Sequence, residues 1–299
     1  AELAYNQNNC VQGIESLTKY INRFPDGYFV VNARFLRADC YSRQGDSTLM
    51  LQDLVFVADQ PRNLYSERVY ARLGKYYLAS RDTVNVIKYL RLLEQNSDSR
   101  WNYIDAIQGL MRMYFGTEQL PLAKTYAEQI KQFEHADEQA KLEADLILAQ
   151  IQLLEGQLSD AFLSFTAIYE KNKAAYGAAA KYFLAEIQFK RAEYALAQQS
   201  IFELVDKIPY YEQWIGKAFL LLAETYVALE EDFQAIATLQ SIVDNRAADA
   251  ITLQAQKRLD ELKARQVKGR EPAPQQIDPE NGGDPAPENL DPQPEGGNQ

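Results

Sequence analysis

The side chains able to do chemistry are few and poorly arranged for catalysis. One histidine, His135, sits in Gln132-Phe133-Glu134-His135-Ala136-Asp137, so any site needing two imidazoles is excluded. Its place at a predicted helix junction suits a surface or capping histidine. The acid runs Asp137-Glu138 and Glu230-Glu231-Asp232 fall at predicted turns. There the helix dipole favours anions, so they read as helix starts rather than acid–base pairs. GxGxxG, GxxxxGK[ST] and HExxH are all absent, so no phosphate cradle or HExxH-type zinc site is expected. Two cysteines, Cys10 and Cys40, without CxxC spacing, exclude a four-thiolate zinc site. The sequence therefore points away from an enzyme and away from a cofactor.

The 299 residues hold 31 basic and 42 acidic side chains, a net charge of -11. That balance argues against binding duplex nucleic acid, which needs a surplus of Lys and Arg to displace counterions. The longest helical apolar stretch, Ala218 to Ala223, meets Glu224, far short of a membrane span of about 20 residues.

An internal period organises most of the chain. Pairs of small residues recur twelve apart: Ala1 and Gly13, Ala38 and Met50, Gly74 and Val86, Met111 and Ala123, Ala149 and Ala161, Ala185 and Ala197, Ala223 and Ala235. The second members are 37, 36, 37, 38, 36 and 38 residues apart. Four residues after them stand Leu17, Leu54, Leu90, Ala127, Phe165, Ile201 and Leu239, and seven after them Tyr20, Val57, Leu93, Ile130, Ile168, Leu204 and Ile242. Steps of four and seven mark one face of a helix. Turn residues such as Gly45-Asp46, Arg81-Asp82 and Gly156-Gln157 lie between the members of a pair. Each unit therefore reads as two antiparallel helices that stack on their neighbours to bury both faces. The recurring Tyr41, Tyr77, Tyr114 and Tyr226 read as core, not as a platform for bases. The predicted helices span 10–24, 29–43, 47–59, 65–80, 83–95, 101–116, 120–133, 137–155, 158–171, 175–191, 194–207, 211–230, 232–245 and 248–268, the last a polar cap.

The segments Gly13-Ile14-Glu15-Ser16-Leu17-Thr18-Lys19-Tyr20-Ile21-Asn22-Arg23-Phe24-Pro25-Asp26-Gly27 and Ala33-Arg34-Phe35-Leu36-Arg37-Ala38-Asp39-Cys40-Tyr41-Ser42-Arg43-Gln44-Gly45-Asp46 resemble tetratricopeptide repeats. The resemblance covers about residues 1–245. It implies an all-α, right-handed superhelical solenoid of about seven units that binds a protein or peptide partner in its concave groove, without catalysis. The helix ending in Phe24-Pro25-Asp26-Gly27 and the long period are similar to bacterial envelope members of the BamD and CpoB types. That likeness implies a periplasmic or outer-membrane location; a cytoplasmic one is the alternative.

The resemblance also implies which first-helix residues face the groove, and spacings of three, seven and ten along each helix agree with it. The candidate site residues are Arg68, Lys75, Leu78, Gln108, Arg112, Phe115, Gln150, Tyr182 and Glu186. Phe35, Asp39, Glu143, Leu146, Leu153, Ala179 and Glu224 are placed on the same face. Arg68, Lys75 and Arg112 form a central basic band beside Leu78 and Phe115, suited to an acidic segment of a partner. The alternative is ordinary solvated charge. A carboxylate clamp of the chaperone-binding kind is not expected, because Lys75 and Arg112 stand where Asn would be needed. Cys10 and Cys40 fall on one side of the stack. Two half-buried thiols are the expectation, and a disulfide would instead indicate an oxidising compartment.

The chain begins at Ala1 inside what reads as a helix end, so an upstream segment is expected. Residues 1–268 form the predicted repeat domain. Residues 269–299 hold seven of the eleven prolines and seven acids against Arg270, with Ile277 and Leu290 the only aliphatics beyond Ala. That composition predicts a disordered acidic tail, or a docking peptide. Besides a peptide-binding scaffold, two other roles stay open: a structural subunit of an envelope assembly, and a regulatory repeat domain of a larger protein.

Overall fold

The computed structural model describes residues 1–245 and 249–270. The predicted tail therefore lies, from Glu271 onward, outside the described residues. Among the described residues there are fifteen helices and no strand. They are α1 (Glu2–Asn6), α2 (Cys10–Arg23), α3 (Val30–Gln44), α4 (Ser47–Ala58), α5 (Ser66–Ala79), α6 (Thr83–Asn96), α7 (Arg100–Gly116), α8 (Leu120–Gln132), α9 (Glu138–Leu154), α10 (Leu158–Lys171), α11 (Ala175–Lys190), α12 (Tyr194–Lys207), α13 (Glu212–Ala228), α14 (Asp232–Asn245) and α15 (Ala250–Arg270). Consecutive helices pack as antiparallel pairs. Most odd-numbered helices also touch the next odd-numbered one, whereas no two even-numbered helices touch among the described residues. The odd helices are thus crowded on the inside of a curved stack and line its groove.

The small-residue register is the packing register. Ala38, Met111, Ala123, Ala149, Ala161, Ala185, Ala197, Ala223 and Ala235 are fully buried. So are most residues four and seven positions further on; Leu90 and Tyr20 are half-buried exceptions. Each odd-to-even turn carries one residue in the left-handed region: Asn8, Gly45, Arg81, Glu118, Gly156, Ala192 and Glu230. Each of these lies five residues before the second small residue of its unit, so backbone and packing share one period. Asn9, Asp46 and Asp82 follow at once in three of the turns, and each side chain accepts a backbone N–H of the next helix.

α15 closes the open end. It buries Ala255, Leu259 and Leu262 and leaves Lys257, Asp260 and Glu261 exposed. At the other end the expectation for the cysteines is overturned. Cys10 on α2 and Cys40 on α3 form a disulfide with a Cα–Cα distance of 5.1 Å. The two helices lie close there: Gly13, one turn after Cys10, faces Cys40, and a Cβ at Gly13 would stand in ordinary van der Waals contact with Cys40 Sγ at 3.6 Å. The same region holds a buried Asp53, which accepts from Arg37 Nε at 2.7 Å and Arg34 Nη1 at 3.0 Å. Its pairing with Arg37 raises that guanidinium's already high pKa.

Candidate functional site

Neighbouring inner helices are joined across the groove wall by polar contacts one repeat apart. Arg72 of α5 reaches Asp39 of α3 at 3.4 Å. Asn102 of α7 donates to Glu67 of α5 at 2.7 Å. Arg112 of α7 holds Glu143 of α9 through Nε and Nη2, and Gln108 donates to the same carboxylate at 3.3 Å. Arg258 of α15 grips Glu224 of α13 at 2.7 and 2.8 Å. These pairs raise the pKa of Arg112 and Arg258, chiefly through the hydrogen bonds to Glu143 and Glu224. Several groove charges are therefore wall fastenings.

That corrects the expected basic band. Arg112 is not a free anchor, because Glu143 satisfies it from the next unit. Glu186 at the acidic end meets Lys190 at 3.3 Å, and Asp39 meets Arg43 at 2.8 Å. Arg68 and Lys75 remain exposed without a carboxylate partner among the described residues, Arg68 lying 5.5 Å from the Phe35 ring centre. Phe35, Leu146, Leu153 and Ala179, placed on the groove face by the family resemblance, are buried in the core instead. A face three residues wide on a packed helix turns one edge into its neighbour.

Two cavities divide the predicted site residues. The first, ≈ 280 Å³, opens between α5 and α7 and collects Lys75, Leu78, Gln108 and Arg112. Its floor is Val86, Leu90 and Leu93 of the outer helix α6, with Met113 at one side and Asn102 and Asp105 at the rim. Gly74 and Gly109 face each other above Leu90; a Cβ on Gly109 would come within 2.7 Å of Leu90 Cδ1. The second cavity, ≈ 680 Å³, lies among α11, α13 and α15 and collects Tyr182 and Glu186 with Phe189, Lys217 and Glu224. Burial raises the Tyr182 hydroxyl pKa, helped by the Glu186 charge and hydrogen bond. Of the rest, Phe115 packs half-buried against the core of α7–α9, and Gln150 donates to Leu146 O at 3.3 Å. Neither lines these two cavities, nor does Arg68.

Sequence reading missed Gly74, Gly109, Leu90 and Met113 as site residues. The signal was present: two residues before the small residue of the inner helix, later units carry Ile147, Phe183 and Leu221, while α7 carries Gly109. Among the described residues no cluster of His, Cys, Asp or Glu is arranged to hold a metal ion, and no helix is long and apolar enough to cross a membrane.

The geometry defines an α-solenoid of stacked helix pairs with a lined inner groove. No family sequence model and no curated protein sequence matches the chain. Solved structures do. A tetratricopeptide repeat protein from Parabacteroides merdae aligns over 87% of this chain and 94% of its own at 12% identity, with a TM-score of 0.53. The C-terminal part of a repeat-containing protein of the same type from Cytophaga hutchinsonii aligns over 85% and 97% at 16% identity, TM-score 0.53. A thermophilic one from Thermus thermophilus covers 66% of this chain and 99% of its own at 15% identity, TM-score 0.50. The chain has the tetratricopeptide-repeat fold.

Proposed function

We propose that this solenoid is a non-enzymatic scaffold that binds a segment of a partner protein in its concave groove, centred on α5 and α7. The observation that carries the reading is the pairing of a preformed apolar cavity with an unpaired cation at its mouth: Lys75 stands over the floor formed by Val86, Leu90 and Leu93. Such mixed surfaces concentrate recognition energy. Arg68, about two helical turns before Lys75 on α5, extends the cationic line, so an acidic segment is the favoured occupant. The disulfide between Cys10 and Cys40 supports an oxidising compartment, in keeping with a bacterial envelope location.

The test is a footprint. A partner captured by crosslinking in the native cell is purified and returned to this protein, and hydrogen exchange is followed along the chain. Protection centred on residues 68–78 and 105–113 is expected. Protection confined to the outer helices, where Val84, Leu163 and Phe233 are exposed, would replace the groove reading with that of a structural subunit packed through its convex face.

A further inference from the structure

The mouth of the α5–α7 cavity is balanced in charge, but its charges are sorted. On the α5 side Lys75 is exposed and makes no hydrogen bond or ion pair among the described residues; Arg68 stands on the same helix. On the α7 side Asp105 is exposed and likewise makes neither. The other charges are already engaged. Arg112 and Glu143 hold each other. Glu67 comes from α5 but is tied to the start of α7, where it accepts from Asn102 Nδ2 at 2.7 Å and from the Ser99 N–H at 3.1 Å. The cations Arg68, Lys75 and Arg112 are thus matched in number by Glu67, Asp105 and Glu143. What marks the mouth is a direction rather than a net charge: a free cation on the α5 wall and a free carboxylate on the α7 wall.

Hydrogen bonding sharpens the α7 wall. Burial opposes the charge on Glu67, yet hydrogen bonds from Asn102 and the backbone at Ser99 outweigh it and hold the carboxyl below its ordinary range. An ionised carboxylate only accepts, so Asn102 turns its NH2 group to Glu67, and Gln108 turns its own to Glu143. Both amide oxygens are left as acceptors on the face of α7 that carries Asp105. That wall therefore suits a donor-bearing, cationic side chain, whereas Lys75 opposite suits a carboxylate.

The interior sets the middle of the ligand. In α11 the position equivalent to Gly109 is Phe183, whose ring lies 4.9 Å from that of Phe165 on α10. In α9 and α13 it is Ile147 and Leu221, both buried. In α7 Gly109 leaves this volume open above Leu90. A bulky apolar side chain from a partner can fill in trans the place that these units fill in cis. Side chains two apart in an extended segment point the same way, about 7 Å apart. When one enters the window, its neighbours two positions to either side stand over the two walls. We infer that the window reads a three-part element of the partner: a bulky apolar residue, Phe or Leu, over Leu90, an acidic residue two positions to one side at Lys75, and a basic residue two positions to the other side at Asp105. This inference rests on the groove reading above and specifies the partner chemistry at that site.

The experiment measures the affinity of the full chain for short labelled peptides by fluorescence anisotropy. In a common Gly-Ser background they carry Asp-Gly-Phe-Gly-Lys, Asp-Gly-Phe-Gly-Asp or Lys-Gly-Phe-Gly-Lys. The parent should bind the mixed peptide about five-fold more tightly than either like-charged one, the size expected of one exposed charge pair. Lys75→Glu should move the preference to the peptide with two lysines, and Asp105→Lys to the peptide with two aspartates. Both positions are exposed, so circular dichroism should be unchanged. Replacing the Phe of the mixed peptide by Gly should abolish binding. No binding of the mixed peptide to the parent, one ranking shared by all the proteins, or undiminished binding without the Phe would each overturn the assignment. The captured partner separates this failure from failure of the groove reading. If its affinity falls with Lys75→Glu but not with Asp105→Lys, the groove remains the binding surface and the three-part element falls; if neither variant weakens it, both fall.

Discussion

The junction of α6 with α7 and the junction of α10 with α11 occupy equivalent places in the stack, yet one is open and the other sealed. At the sealed junction Phe183 of α11 stacks on Phe165 of α10, ring centres 4.9 Å apart and planes 17° apart, and Phe165 is fully buried. At the open junction the same two positions are Gly109 and Leu90. Gly109 supplies no side chain, so Leu90 is left half-buried and its outer-helix neighbours become the floor of a cavity reached from the groove. A repeat fold thus makes a binding site by omission: at this junction one missing side chain opens a window that the Phe165–Phe183 stack closes at the equivalent place.

Opening the sealed junction should have the largest effect. Phe183→Gly removes a half-buried ring and adds a helix-interior glycine, and is expected to cost about 3–4 kcal/mol in chemical denaturation. A loss under 1 kcal/mol would mean that the two junctions are not equivalent. Next comes the clamp at the N-terminal end. Reducing the Cys10–Cys40 bond, which closes a separation of 30 residues, should cost about 3–4 kcal/mol, read as a lower melting temperature in reductant. An unchanged melting temperature would remove the disulfide from the account. Closing the window should be mild and favourable. Gly109→Ala gains up to about 1 kcal/mol of helix propensity, while the flexible Leu90 tip shifts into the space beside it. The expected net is a gain of about 0.5 kcal/mol together with weaker partner binding; a clear destabilisation would show that no room exists there.

The smallest effect concerns pH near the sealed junction. The Glu203 carboxyl lies below its ordinary range, first because Lys181 donates a hydrogen bond to it. A depressed folded pKa means that this stability is present above the ordinary carboxylate range and is lost as pH falls through the folded value. Glu203→Gln should therefore flatten the acid side of the stability curve by a few tenths of a kcal/mol and leave the region of the window unchanged. An identical acid limb in both proteins would show that the pair contributes nothing.

Most of the architecture was legible because it repeats. The small residues twelve apart and the apolar residues four and seven further on located the helices to within two residues of where they lie. The site was only half legible. Lys75, Leu78, Gln108 and Arg112 are placed on the inner face by the resemblance to tetratricopeptide repeats, and helical spacing agrees, since it fixes which residues share a face. What spacing does not encode is the neighbour: Arg112 reads as a free cation until Glu143, 31 residues later, is seen beside it. The cysteine pairing was hidden for the same reason, since it depends on how closely α2 and α3 pack at Cys10 and Cys40, 5.1 Å apart between Cα atoms. The window was written in the sequence as Gly109 against Ile147, Phe183 and Leu221, and becomes meaningful once the packing partner Leu90 is known.

The central claim is that the middle of the groove, at the α5–α7 window, is where a partner segment is recognised. The direct measurement is the affinity of the captured partner for three full-length proteins: the parent, Lys75→Glu at the window, and Lys257→Glu at the larger cavity of α11, α13 and α15. Charge reversal beside a bound acidic segment adds repulsion to lost attraction, so Lys75→Glu should weaken binding by about 2 kcal/mol, roughly thirty-fold. Lys257→Glu should leave it within about two-fold, and the parent's affinity should decline as salt rises. Equal affinity of the parent and Lys75→Glu, or a larger loss with Lys257→Glu, would contradict the account and move recognition away from the window.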